Sequence, residues 1–415
     1  MKEHIHINEQ TQWKKQIALF LISQNISIFG SSVVGFSIIW YVTLQTSSSI
    51  WVTVSTMATL VPQVLISLWA GVVADRYNRR FIIMAADSFT ALATLLAFFA
   101  FQAGRESMML LIAISFLRSL GGGFQSPAVN AMYPDIVPKE QLARINGINQ
   151  TICNLLLLIS PAVGGFILGT MGIKWTFLVD VATATFAIII MSRMKVNARH
   201  REEDTGAPEN AGPHTVTAEL KSGILYTWTH PLLRVLLISY GVTFILITPA
   251  SFLSPLMVAR TFGDEVWKLT ANEMFWTVGS LLGGAFIAWK GDFKNRINAI
   301  AVALAGFGIT FALMGCSRTL WLFLVLDCVC GMFLPVLVTA QTVLIQSTTN
   351  PAYMGRVFSL LQFVSQGVMP LALLVFGPLG DRIRIQYIII VCGVLLASWG
   401  LWFKKSACTK DYDML

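Results

Sequence analysis

Five ionisable side chains stand in or at the edge of long hydrophobic runs: Asp87, Arg118, Asp180, Glu273 and Asp327. Arg118 lies about eleven residues into its run, roughly 16 Å deep at 1.5 Å per residue. A cation at that depth in a bilayer costs at least ~2.5 kcal/mol unless it is paired or hydrated. Gly121, Gly122 and Gly123 follow it, then Pro127, so the helix there is thin and deformable. Asp327 enters its run by about 10 Å, and Asp87 and Asp180 by about 9 Å. Glu273, at the edge of a run, reads as a solvated helix end. A carboxylate taken out of water accepts a proton more readily, and a nearby guanidinium opposes this. Such residues suit either proton exchange inside a membrane or static bracing by buried ion pairs. Asp87 and Asp180 read as structural or accessory acids, Asp87 as a brace for the turn at Asp75.

A second constellation is the turn Gly71-Val72-Val73-Ala74-Asp75-Arg76-Tyr77-Asn78-Arg79-Arg80. Gly71 lets two helices approach closely where the chain reverses. Asp75 can cap the start of a neighbouring helix and favour its positive dipole end. Arg76, Arg79 and Arg80 can hold carboxylates or lipid phosphates. Asn78 tolerates positive φ. Uncharged polar residues within the runs include Gln24, Asn25, Tyr240, Thr243 and Gln341. They are either interhelical glue or the lining of a substrate cavity.

Enzymatic, metal and nucleotide chemistry lacks its usual residues. Of six cysteines, Cys328 and Cys330 are two apart and diverge by about 200° on a helix, which is neither a metal nor a disulfide framework. All five histidines lie outside the apolar runs or at an edge. There is no Gly-x-x-x-x-Gly-Lys-Ser/Thr loop, so ATP is not the energy source within this chain. Without His-x-x-x-His, Asp-x-x-Asp or Gly-x-Ser-x-Gly, an integral membrane lipid-modifying enzyme is a disfavoured alternative. No cofactor is expected; a proton gradient would supply the energy.

The elements that must position these residues are membrane helices. The chain has 415 residues, 55% hydrophobic and 12% charged, with mean hydropathy +0.68. Soluble domains carry about 25% charged residues, so the class is membrane-integral. Twelve spans of about 20 apolar residues read at 17–43, 50–74, 81–103, 107–128, 145–169, 174–193, 232–258, 270–289, 297–316, 319–342, 355–378 and 385–403. The first run is too long for the apolar core of a signal peptide. Of 29 lysines and arginines, 21 fall in the segments on one side and seven on the other, with Arg118 inside a span. That asymmetry predicts both termini in the cytoplasm of a plasma-membrane protein. The net charge of +8 thus sets topology and does not imply nucleic-acid binding.

Residues 195–221 are polar and carry Gly206, Pro208, Gly212 and Pro213. They read as a cytoplasmic linker between an N-terminal six-helix bundle, 1–194, and a C-terminal bundle with its tail, 222–415. The halves echo each other faintly. Arg118, Gly121 and Pro127 in span four correspond to Asp327, Gly331 and Pro335 in span ten. The turn after span two recurs as Gly291-Asp292-Phe293-Lys294-Asn295-Arg296. Together these fit a duplicated unit of the kind secondary transporters show.

The Gly71 to Arg80 turn resembles the signature of the major facilitator superfamily, Gly-x-Leu-x-Asp-Arg-x-Gly-Arg-Lys, with Val73 for Leu and Asn78 for the second Gly. The resemblance covers about 14 to 404. It implies an all-α membrane fold of twelve helices in two pseudo-symmetric bundles, monomeric, with spans one, four, seven and ten around the cavity. It also implies that Gly71, Asp75, Arg76, Arg79 and Arg80 form a gate in which Asp75 latches the halves. Arg118 and Asp327 then become the expected intramembrane pair, static or proton-exchanging. Ser160-Pro161-Ala162-Val163-Gly164-Gly165 resembles the Gly-Pro-x-x-Gly-Gly motif of drug:proton antiporters, implying that Pro161, Gly164 and Gly165 pack across the interface of the halves. Arg118-Ser119-Leu120-Gly121, Val137-Pro138-Lys139-Glu140-Gln141-Leu142 and Tyr353-Met354-Gly355-Arg356-Val357-Phe358-Ser359-Leu360 are similar to the macrolide-efflux branch. These similarities imply proton-driven export of small amphipathic drugs, macrolide-like or tetracycline-like. A siderophore or lysolipid exporter of the same fold is the alternative.

Overall fold

The computed structural model describes residues 2–138, 141–194, 224–291, 293, 295–350 and 353–408, and the expected linker at 195–221 lies outside them. Twelve long helices run in order: α1 Lys2–Thr46, α2 Ser49–Arg76, α3 Arg79–Gln102, α4 Met108–Ile136, α5 Leu142–Thr170, α6 Ile173–Arg193, α7 Pro231–Phe262, α8 Val266–Lys290, α9 Arg296–Cys316, α10 Leu320–Thr348, α11 Met354–Arg382 and α12 Ile385–Cys408. Eleven of them are long and apolar enough to cross a membrane, and α8 is the exception. Its sequence carries Lys268 and Glu273 in its first two turns.

The chain divides into two compact units. One comprises Met1–Gln45 and Val54–Ala207, the other Thr46–Thr53 and Pro208–Leu415. The division therefore runs through α2, whose first turn belongs with the C-terminal unit.

Helix boundaries follow local chemistry. Asn78 caps α3, its side chain accepting from the backbone N–H of Arg80 at 3.1 Å and of Phe81 at 3.4 Å. Its φ is −64°, so the expected positive φ is corrected: the residue satisfies free helix donors. Asn295 does the same for α9, accepting from the N–H of Asn298 at 2.7 Å. An Asn-Arg pair thus opens the third helix of each unit. Gly291 ends α8 with φ of +76°, a conformation glycine adopts without steric cost.

Close crossings hold the ionisable residues in place. In the N-terminal unit a Cβ at Gly30 of α1 would stand 3.1 Å from Asp180 Cα of α6. One at Gly121 of α4 would stand 3.3 Å from the Ala86 carbonyl of α3. In the C-terminal unit α8 meets α10 backbone to backbone: a Cβ at Gly283 would stand 2.9 Å from Met332 Cα. Bare backbones of this kind bring buried helices close enough for short polar side chains to meet.

Candidate functional site

Arg118 is the centre of a buried network in the N-terminal unit. Its Nη1 donates to the Asp180 carboxylate and to Thr94 Oγ1, and its Nη2 reaches the Ser31 carbonyl at 3.4 Å. Asp180 also accepts from Ser31 Oγ at 3.2 Å and from Thr94 Oγ1 at 2.8 Å. Asp180 is 1% exposed. Four helices contribute: α1 supplies Ser31, α3 Thr94, α4 Arg118 and α6 Asp180. Arg118 pairs with Asp180 within its own unit, where the sequence pointed to Asp327 of the other. The Gly30 crossing brings α1 and α6 together, and the nearest carboxylate is Asp180. Asp180 is a member of this site and not a peripheral residue.

Asp87 lies two turns from Thr94 along α3. It accepts from Ser27 Oγ and from Gln125 Nε2, both at 2.7 Å, and is 4% exposed. Its partner Ser27 lies about one turn of α1 before Ser31, which bonds Asp180. The expectation that Asp87 braces the Asp75 turn is corrected, since its partners lie on α1 and α4. The set therefore holds two carboxylates and one guanidinium. It carries one net negative charge when both acids are ionised and none when one is protonated.

Beside this network lies a cavity of about 490 Å³, lined by Gln24, Ser31, Arg118, Gln125, Tyr133 and Asn149 among others. Gln24 is 1% exposed, and neither atom of its amide has a partner among the described residues. A buried amide without partners is costly, and its place on a cavity wall makes it a contact for an incoming molecule. Asn25 behaves differently. It donates to the Leu21 carbonyl at 2.8 Å and to Asn149 Oδ1 at 3.2 Å, so it joins α1 to α5.

Tyr240, Thr243 and Gln341 lie in the C-terminal unit and line neither this cavity nor the smaller one at Asp327. Thr243 Oγ1 and Gln341 Nε2 are buried without partners among the described residues. Asp327 is 4% exposed and shares a cavity of about 90 Å³ with Glu273. Glu273, expected as a solvated helix end, instead faces this acidic pocket. Pro161, Gly164 and Gly165 are buried. A Cβ at Gly164 would stand 3.2 Å from the Val33 carbonyl of α1. That contact is within one unit.

The gating turn is tied down inside its own unit. Arg79 Nη1 donates to both Asp135 oxygens at 2.8 Å and to the Ala131 carbonyl at 2.7 Å. Arg80 donates to the Met194 carbonyl at 2.6 Å and the Ser192 carbonyl at 2.5 Å. Both arginines thus neutralise the carbonyl-rich ends of α4 and α6. Gly71 has nothing within 4 Å of a built Cβ, so the expected close approach there is corrected. The side chains of Asp75 and Arg76 lie outside the described residues.

A clamp that the sequence reading missed holds the start of α2. Asp381 Oδ1 accepts from the Ser49 N–H at 2.7 Å. Its Oδ2 accepts from the Ile50 N–H at 3.0 Å and from Ser48 Oγ at 2.7 Å. Arg260 Nη2 bonds Asp381 at 2.6 Å, and Arg260 also donates to the carbonyls of Ser47 and Gly380. The signal was available: Gly377-Pro378-Leu379-Gly380-Asp381-Arg382 spells the order Gly-x-Leu-x-Asp-Arg at the end of α11. This copy lies at the end of span eleven, away from span two and its counterpart, span eight.

The Major Facilitator Superfamily model matches residues 20–372. The chain belongs to the major facilitator superfamily. Macrolide efflux protein A of Streptococcus pyogenes is 25% identical over 393 residues, 94% of this chain and 95% of that protein. Macrolide efflux protein A of Enterococcus faecalis is 28% identical over 309 residues, 73% and 93% respectively. Multidrug efflux pump Tap of Mycobacterium tuberculosis is 22% identical over 396 residues, 93% and 91%. Among solved structures, an inward-facing bacterial homologue of the iron transporter ferroportin superposes with TM-score 0.72. It is 14% identical and covers 94% of this chain and 98% of its own. This superfamily member is a multi-pass membrane protein with the all-helical transporter fold.

Proposed function

We propose that this chain is a secondary active drug exporter that moves amphipathic, macrolide-like molecules out of the cell in exchange for protons. The observation that carries the reading is the Arg118–Asp180–Asp87 network beside the N-terminal cavity. Two buried carboxylates lie in a set with one guanidinium, which bonds Asp180 alone of the two, so a single proton decides whether the set is neutral or charged. Substrate entering the cavity beside Arg118 redistributes the guanidinium between its partners and so changes the cost of holding that proton. Coupling in a two-state transporter needs this kind of differential interaction between ligand and state.

The cavity volume supports a drug-sized ligand, since such pockets run from about 300 to 1,000 Å³. Its unpartnered Gln24 amide offers orientation, and Ile28, Ile38, Ile39 and Val129 offer apolar contact. The names of the relatives support export of macrolides and other drugs. The positive-charge asymmetry supports a plasma-membrane location with cytoplasmic termini, and the protein acts as a monomer. Asp381 and Arg260 form an outer-face clamp that must release for the start of α2 to move with the rest of that helix.

The reading is tested by drug-susceptibility profiling of cells expressing the chain, across macrolides and tetracyclines, with and without a protonophore. Protection that disappears with the protonophore is the expected result. Protection that survives it removes proton coupling, and no protection against any drug removes the export reading.

A further inference from the structure

The C-terminal unit holds a second acidic site that the exporter reading does not use. Asp327 of α10 and Glu273 of α8 face one cavity of about 90 Å³, together with Asn272, Ser251, Ser254 and Trp276. Ser254 Oγ donates to Asn272 Oδ1 at 2.8 Å, which fixes the neutral oxygens on one wall. Among the described residues neither carboxylate has an ion-pair partner. Asp327 Oδ2 is buried with no hydrogen-bond partner at all, and the residue is 4% exposed.

This contrasts with the N-terminal network, where both oxygens of Asp180 meet donors and Asp87 Oδ1 accepts from two side chains. An acid pair in an apolar bundle without a basic partner needs a positive charge from elsewhere. The volume equals about three waters at roughly 30 Å³ each, which is too small for a drug and sufficient for a partly dehydrated ion. The polar ligands offered are two carboxylates, one amide and two hydroxyls, beside the thioether of Met314. A set dominated by carboxylate and neutral oxygens favours hard cations over zinc, copper or iron. The pocket is also rigid, because Gly279, Gly283 and Gly331 lock α8 against α10. A rigid oxygen cage held at a backbone-to-backbone crossing is pre-organised for an ion.

We infer that the Asp327–Glu273 pocket binds a hard inorganic cation, sodium or calcium, within the C-terminal unit. The site is separate from the cavity beside Arg118 and would stand whether or not protons drive export.

The test is thermal unfolding of the purified full-length protein in detergent at fixed pH and ionic strength, in choline, sodium or calcium chloride. A saturable rise of the midpoint in sodium or calcium over choline is expected, because a ligand that binds only the folded state stabilises it. Which salt acts identifies the ion. Asp327→Asn should abolish the rise, and Glu273→Gln should weaken apparent affinity at least about tenfold. If Asp327→Asn does not fold, Glu273→Gln and Ser254→Ala decide the matter. Equal midpoints in all three salts, or the same rise in every variant, would overturn the inference and leave a shared proton as the only occupant. Drug binding to the same preparations reports on the N-terminal cavity, so failure of the exporter reading is distinguishable.

Discussion

Arg118 shows how a single buried cation organises its surroundings. Its guanidinium meets Asp180, Thr94 and the Ser31 carbonyl while also lining the cavity. Removing one partner leaves the other charged in an apolar bundle, which typically costs about 3–5 kcal/mol. Asp180→Asn should therefore lower the unfolding midpoint sharply in detergent, and Arg118→Met combined with Asp180→Leu should recover much of the loss. A double variant as unstable as the single one would mean that the pair is not the source of the penalty. Asp87 calls for a milder change. Asn at position 87 keeps an acceptor for Ser27 Oγ and loses only the charge, so folding and drug binding should persist while proton-driven efflux disappears. Intact proton-driven efflux in Asp87→Asn would place the coupling proton elsewhere. The sequence made Arg118 legible as a buried cation at once, because every other basic residue lies outside a span or within its end residues. Its partner was not legible: Asp87, Asp180 and Asp327 lie at similar depths, and only the Gly30 crossing of α1 on α6 selects Asp180.

Among the elements, α2 carries the sharpest mechanical feature. Its first turn is grouped with one unit and its remainder with the other, and Asp381 satisfies its free N–H groups. Losing an N-cap acceptor typically costs about 1 kcal/mol, up to about 2. Asp381→Ala should raise hydrogen exchange of the amides from Ser49 to Val52 by about 5- to 30-fold and alter transport rate without altering drug affinity. Unchanged exchange would show that the clamp is incidental. Asn78→Ala should cost about 1 kcal/mol, read as a lower midpoint, because α3 loses its cap at the turn that Arg79 and Arg80 anchor. An unchanged midpoint would leave the two bonds to Asn78 without energetic weight. Helix positions were largely legible because membrane-length apolar runs are hard to mistake. The roles of Arg79 and Arg80 were not, since clamping Asp135 and the end of α6 depends on tertiary placement that no local pattern encodes.

At the level of the whole molecule, the sequence's twofold character survives in detail. Asn78-Arg79 opens α3 and Asn295-Arg296 opens α9, each Asn capping its helix. The charged interiors of the units differ. The N-terminal unit balances two acids with one arginine beside a drug-sized cavity, and the C-terminal unit encloses two acids in an ion-sized one. This asymmetry was invisible in the sequence, where Glu273 looked like a solvated end and span eight looked like any other. The proposed division of labour has substrate and proton handled beside Arg118 and the acidic pocket acting separately. The most direct test is substrate movement in proteoliposomes under an imposed pH gradient, comparing the wild-type protein with Asp87→Asn. The account predicts gradient-driven macrolide accumulation by the wild type and none by the variant, with equal drug binding by both. Accumulation by Asp87→Asn equal to the wild type would contradict it.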